Sequence, residues 1–298
     1  MLAAAMTYSI VARDPATGEL GAAVQSHWFS VGALCPWARP GVGAVATQSI
    51  VEPAYGPNGL ERLAAGQPAE EALAGLLAAD PMAPLRQVGI VDATGRVAAH
   101  TGERCVPCAG HVVRENWTCQ ANMMLRDTVP AAMSAAFEAV DGDLAERLMA
   151  ALDGAEAEGG DVRGRQSAAL LVVRPDGEPW RRRIDLRVDD HADPVGELRR
   201  LLNLQRAYEL GGEADELAGA GRAAEAAELY RRAAELAPAS TELQFWGGLA
   251  IAQLGDLDEG TEAVRRAGEA APGLLTLLDR LTPELAPAAE AVRRALGR

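Results

Sequence analysis

Along the first 174 residues the apolar positions switch repeatedly between every second residue and every third or fourth, the periods of strands and helices. Residues 7–12 and 20–25 are short β-type runs, and the segment 13–19 between them carries Pro15 and Gly18 where a turn needs them, so a hairpin is expected. A second apolar pair, 31–37 and 42–48, is separated by Ala38-Arg39-Pro40-Gly41 and reads as another hairpin. Four strands therefore precede the first helix. That helix is expected over 59–79, where Leu60, Leu63, Leu73, Leu76 and Leu77 share a helical period ahead of the stop at Asp80-Pro81. Residues 88–92 and 96–100 flank Ala93-Thr94-Gly95 as a third hairpin, 117–123 adds a strand, and 130–151 reads as a helix. After Gly159-Gly160, residues 167–174 form an Ala, Leu and Val run typical of a strand. Strands, helices and strands again predict an α+β fold with segregated layers.

From Ala207 the pattern becomes a repeat. Gly221, Ala226, Tyr230, Ala233 and Pro238 recur 34 residues later as Gly255, Gly260, Val264, Ala267 and Pro272. This spacing resembles the tetratricopeptide helix-turn-helix repeat, in which small residues let paired helices approach and a proline closes the second helix. Two units are visible where about three are usual, so the segment 195–210, with Leu198, Leu201, Leu202 and Leu204, or the helix from Leu274 onward supplies the cap. The expected division is a first domain over 6–194 and an all-α helical-repeat module over 195–298.

Length agrees with two domains, since 298 residues exceed the roughly 150 of an ordinary one. A net charge of −14 repels phosphate backbones and anionic membrane surfaces, which argues against nucleic-acid and membrane partners. No apolar run approaches the roughly 18 residues needed to span a bilayer. The opening Met1-Leu2-Ala3-Ala4-Ala5 is short for a signal-peptide core and lacks its basic flank, so a cytoplasmic location is expected. In that compartment Cys35, Cys105, Cys108 and Cys119 are reduced thiols or metal ligands rather than a disulfide framework.

The position of Thr7 carries the sharpest chemical expectation. If Met6 is the true start and is removed, Thr7 becomes the first residue, and a threonine with a free α-amine holds a nucleophile and its base in one residue. An α-amine with a pKa of about 7.7 to 8.0 accepts the hydroxyl proton near neutral pH. The alternative is a β-branched residue filling an edge strand. Ser9, two positions on, shares the face of Thr7 and is a reserve nucleophile or a hydrogen-bond partner, but it needs another base. Backbone amides around Ala46-Thr47-Gln48 and the Asn122 side chain are candidate donors to an oxyanion, or a strand-end fastening in the case of Asn122. Arg163 and Arg165 are candidate clamps for a substrate carboxylate.

The order of elements after Thr7 resembles that of N-terminal nucleophile (Ntn) hydrolases. Four segments resemble more specifically one bacterial family, the domain of unknown function family 1028. They are Met6-Thr7-Tyr8-Ser9-Ile10-Val11-Ala12, Gly41-Val42-Gly43-Ala44-Val45-Ala46-Thr47-Gln48, the run 160–170 beginning Gly160-Asp161-Val162-Arg163-Gly164-Arg165-Gln166-Ser167, and Val188-Asp189-Asp190-His191. The resemblance extends over about residues 6 to 202. It implies an Ntn-like four-layer αββα sandwich with Thr7 at the nucleophile position. It also implies that Asp161 and Ser167 hold the terminal ammonium, against the plainer reading of an Asp-Arg pair fixing the Gly159-Gly160 turn. The lysine that tunes the amine in the proteasome branch has no counterpart, because this chain contains no lysine.

Two further groupings of chemically capable residues stand in the chain. His100, Cys105, Cys108 and His111 form an H-x4-C-x2-C-x2-H series of the kind zinc uses, but a second knuckle is missing and packed, reduced cysteines are favoured. Ser26-His27 with Asp161 suggests a triad, yet adjacent strand residues point to opposite faces. The expectation is an Ntn-type amidohydrolase acting on a small amide or related acyl compound, with no cofactor. The rival is a non-catalytic Ntn-like ligand-binding protein whose helical repeats recruit a protein partner or self-associate. A metal-dependent hydrolase using the Cys/His series is a third possibility.

Overall fold

Burial on both faces of the first strand dictates the architecture. The structure is a computed structural model and describes residues 7–298; Met1 to Met6, on which the expected start at Thr7 turns, lie outside the described residues. In β1 (Thr7–Arg13), Ser9 and Val11 face one way and Tyr8 and Ile10 the other, and all four are fully buried. Such a strand needs cover on both sides. β1 pairs antiparallel with β2 (Leu20–Ser26) and with β8 (Trp117–Asn122). β7 (Gly110–Arg114), β9 (Ser167–Val173) and β10 (Ile184–Val188) complete a six-stranded sheet of order β10-β9-β2-β1-β8-β7. β3 (Pro36–Arg39), β4 (Gly43–Ser49), β5 (Arg86–Asp92) and β6 (Val97–Thr101) form a second antiparallel sheet in that order.

Three apolar layers hold these sheets. Val11, Leu20, Ala22, Val24 and Ala169 of the larger sheet pack against Ala44, Ala46 and Val91 of the smaller. On the other side of the smaller sheet, Val45, Val88 and Ile90 meet Leu60 and Leu63 of α1 (Tyr55–Ala64) and Leu73 and Leu76 of α2 (Ala69–Ala78). The larger sheet is covered by α3 (Val129–Ala139) and α4 (Leu144–Ala157), with Trp117 against Phe137 at 5.1 Å between ring centroids. Leu148 of α4 comes so close to β2 that a Cβ on Gly21 would lie 2.8 Å from its Cδ1. Each large apolar side chain buried in this way contributes about 1.5–3 kcal/mol.

Two expected helices are each broken in two. The run 59–79 divides where Gly66 takes φ +87° and Pro68 starts a new helix. The run 130–151 divides at Gly142, after which the Asp143 side chain caps α4 by accepting from Glu146 N. The expected strand 31–37 is a 3-10 turn over Val31–Ala33 followed by the shorter β3, because Ser30 turns the chain through φ +55°. β7 and β10 were not foreseen. Both are edge strands whose exposed charges interrupt the apolar pattern.

The contacts divide the chain into two compact units, one ending at Arg199 and the other beginning at Arg200. The division falls inside α5 (Pro194–Gly219). The second unit continues through α6 (Ala223–Leu236), α7 (Thr241–Gln253), α8 (Leu257–Ala270), α9 (Gly273–Arg280) and α10 (Ala289–Ala295) and is helical throughout. Its repeated small residues let helices touch: a Cβ on Gly260 would stand 2.4 Å from the carbonyl oxygen of Gly248. The whole is therefore a mixed α and β chain with two antiparallel sheets and a C-terminal all-helical region. Among the described residues no helix is long and apolar enough to cross a membrane.

Candidate active site

At one end of the space between the sheets, every inward-facing column changes from apolar to polar. Val11 gives way to Ser9 and Thr7 on β1, Val24 to Ser26 on β2, Ala46 to Gln48 on β4, and Ala169 to Ser167 on β9. Gln87 on β5 and Gln120 and Asn122 on β8 complete the set. All of these side chains are at most 1% exposed. Burial of so many polar groups is tolerated only if they bond to one another.

Their hydrogen bonds converge on Thr7 and its neighbours. Thr7 stands opposite Ser26 on one side and Asn122 on the other, and its Oγ1 donates to Ser26 Oγ at 3.1 Å. The Thr7 carbonyl accepts from Gln48 Nε2 at 3.1 Å and from Asn122 Nδ2 at 3.3 Å. Ser9 Oγ donates to Gln48 Oε1 at 2.6 Å and accepts from Gln120 Nε2 at 2.7 Å. Gln87 Oε1 accepts from Gln48 and Asn122, while its own amide donates to Thr101, Gly110 and Ala121. The packing leaves no spare room here, since a Cβ on Gly89 would fall 2.4 Å from Gln120 Oε1. Ser49 and Met123, which follow Gln48 and Asn122, both take left-handed φ values, 72° and 58°. Such backbone is sparsely populated by residues other than glycine, asparagine and aspartate, and it re-aims the chain at the strand ends.

Asp161 lies across the N-terminal end of β1. Its Oδ2 accepts from the amide of His27, next after Ser26, and its backbone bridges to Met124, two residues past Asn122. The carboxylate also pairs with the Arg163 guanidinium at 3.0 Å and accepts from Arg163 N at 2.9 Å. Asp161 and Arg163, just past Gly159-Gly160, thus form a local ion pair. Ser167 donates to the Trp28 carbonyl and accepts from Val31 N, fastening the 27–35 segment. Arg165 is engaged by Glu156 and Asp193. Both arginines expected to clamp a substrate are therefore already paired with carboxylates of the protein. Thr47 faces the opposite side of β4 from Gln48 and donates to the Glu52 carbonyl.

A small cavity of about 10 Å³ touches Thr7, lined also by Trp28, Val31, Leu34, Cys35, Thr47, Gln48 and Val51, so Thr47 borders it although its hydroxyl turns to Glu52. The cavity is about the size of one water, so the site is closed to an amide substrate in this state. Cys35 shares the cavity and approaches Gln48 Oε1 at 3.8 Å, but burial pushes its thiol up to about 12, which keeps it protonated and unreactive. On the far side of β1, the Tyr8 hydroxyl bonds Glu156, and burial followed by that carboxylate raises its pKa well above the ordinary value.

The remaining groupings do not assemble. His27 Nδ1 faces the Arg165 carbonyl at 3.3 Å rather than Ser26. His100 turns to the Ala83 carbonyl, His111 to the Thr101 hydroxyl and Cys105 to the Arg86 carbonyl. Among the described residues no three His, Cys, Asp or Glu side chains come within reach of a common metal ion. Gln87 and Gln120 are the members of the polar end that the sequence did not single out, and Ser26 entered only as part of a triad that does not form. Polar residues at inward positions of otherwise apolar strands were the available signal.

The crystal structure of protein SPO2555 from Silicibacter pomeroyi, carrying the family label DUF1028, matches this chain with a TM-score of 0.61 and 33% identity. The match covers 66% of this chain and 88% of that one. No curated protein matches. The family model described as "Family of unknown function (DUF1028)" matches residues 7–198, which hold both sheets and every residue of the buried polar end, and the chain belongs to that family.

Proposed function

We propose that this protein is an N-terminal-nucleophile amidohydrolase acting on a small amide or related acyl compound, with Thr7 as nucleophile. The reading includes an Ntn-like four-layer sandwich and a tetratricopeptide-like C-terminal module. The observation that carries it is the position of Thr7 in the central strand, at the apex of a buried polar network. With Thr7 as first residue, its α-amine takes the Oγ1 proton as Oγ1 attacks the amide carbonyl. The resulting ammonium lies at the strand end that Asp161 crosses, where a carboxylate stabilises positive charge. Collapse of the tetrahedral intermediate expels the leaving amine, which takes the ammonium proton. An ester on Thr7 remains. Water, deprotonated by the same amine, then releases the acid and restores the hydroxyl.

In this account Gln48 and Asn122 hold the Thr7 backbone, since their amides already donate to its carbonyl, and Ser26 orients the hydroxyl. Arg163 and Arg165 serve the turn rather than the substrate. Substrate entry requires displacement of the side chains over Thr7, among them Trp28, Leu34 and Val51. The closed cavity counts against turnover at Thr7, and the second reading is a non-catalytic ligand-binding protein whose helical repeats recruit a partner. Single-turnover assays on an amide library separate the two. Thr7→Ala should abolish turnover while leaving the fold intact, and Thr7→Ser should keep part of it. Wild-type turnover by Thr7→Ala would reject Thr7 as nucleophile.

A further inference from the structure

A concavity in the helical unit measures about 650 Å³, within the range of sites that hold small ligands or a few peptide side chains. Its walls carry three aromatic side chains, Tyr208, Tyr230 and Trp246, and two carboxylates, Asp215 and Glu242. No arginine lines it. Each carboxylate is held by an aromatic donor: the Tyr230 hydroxyl bonds Asp215 Oδ1 at 2.5 Å, and Trp246 Nε1 bonds Glu242 Oε1 at 3.0 Å. Elsewhere in this unit carboxylates are commonly balanced by arginine, as Glu259 is by Arg231 and Asp279 by Arg298. Asp215 and Glu242 stand in no ion pair among the described residues. Tyr208, Trp246 and Leu285 remain 47%, 38% and 72% exposed at the rim.

We infer that this groove binds an extended peptide segment of a partner protein through a lysine or arginine side chain placed between Asp215, Glu242 and the aromatic faces. The charge is complementary: two fixed negative groups without internal counter-ions favour a cation, and aromatic faces favour it again through their quadrupoles. Exposed Leu285 and Trp246 suit the apolar stem of such a side chain and the residues flanking it.

Isothermal titration calorimetry of the full chain tests it with the peptide acetyl-Ala-Leu-Lys-Leu-Ala-amide, its arginine counterpart, and a norleucine counterpart that keeps the stem and lacks the charge. The lysine and arginine peptides should bind about tenfold or more tightly than the norleucine peptide, and more weakly as salt rises. Asp215→Asn and Glu242→Gln should each cost a similar factor, whereas Glu235→Gln, outside the groove, should not. Equal affinity for the norleucine peptide, or an equal loss in Glu235→Gln, would overturn the proposal. Free arginine amide binding as tightly as the arginine peptide would overturn the peptide as occupant, and no binding by any of these probes would overturn the site.

Discussion

Gln48 ties both sheets to the start of β1, since its amide nitrogen donates to the Thr7 carbonyl and Gln87 Oε1 while its oxygen accepts from Ser9. Gln48→Leu keeps the volume but leaves these buried partners unsatisfied, so a loss of about 1–3 kcal/mol is expected. Urea unfolding checks it; a loss within error of zero would mean the network is not a stabilising unit. Cys35 gives a pH prediction at the same scale. Burial raises its folded-state pKa from 9.0 to about 12, so below its unfolded pKa the thiol is neutral in both states and costs nothing. As pH rises past about 8.5 the unfolded chain gains charge that the fold excludes, and stability falls. The unfolding midpoint should therefore drop between neutral and alkaline pH, and Cys35→Ala should flatten that drop. Thr7, Gln48, Asn122, Asp161 and Ser167 were all legible as candidates from sequence and do meet at one end of the space between the two sheets. The Asp161–Arg163 pair is local and was legible as the plainer reading of that segment, whereas the pairing of Arg165 was not, because Glu156 and Asp193 reach it only through the fold.

Between elements, the close approach of β5 to β8 rests on Gly89. A side chain there would collide with Gln120 Oε1, which is buried and bonded and has little freedom to retreat. Gly89→Ala should cost about 1–3 kcal/mol by overpacking, whereas Gly110→Ala, with nothing within 4 Å of the new Cβ, should be close to neutral. Thermal unfolding of the two variants decides, and equal effects would contradict the packing described. The strands that alternate cleanly, β1, β2, β4 and β9, could be read from the chain because one period of two ran through each. β7 and β10 could not, since edge strands carry charges that resemble loops. The breaks at Gly66-Gln67-Pro68 and before Asp143 were also hidden, because apolar helical periodicity continued on either side of them, carried by leucines around the first and by Met133, Phe137, Leu144 and Leu148 around the second.

For the whole molecule, the division between Arg199 and Arg200 falls within α5, and Arg199 pairs with Glu146 and Asp153 of α4. A chain ending after Arg199 should keep those pairs and unfold in one cooperative transition by circular dichroism, whereas one ending before Pro194 should be less stable. A truncated chain without a cooperative transition would show that the first unit needs the helical one. The central claim concerns the other end of this unit, where Thr7 acts as nucleophile only if its amine is free. Top-down mass spectrometry of natively expressed protein, before and after treatment with an acylating β-lactone, addresses it directly. The account predicts a chain beginning at Thr7 that gains one acyl group on that residue. A chain that retains residues ahead of Thr7 yet hydrolyses an amide, or that takes the acyl group on Ser9 or Cys35 instead, would contradict it.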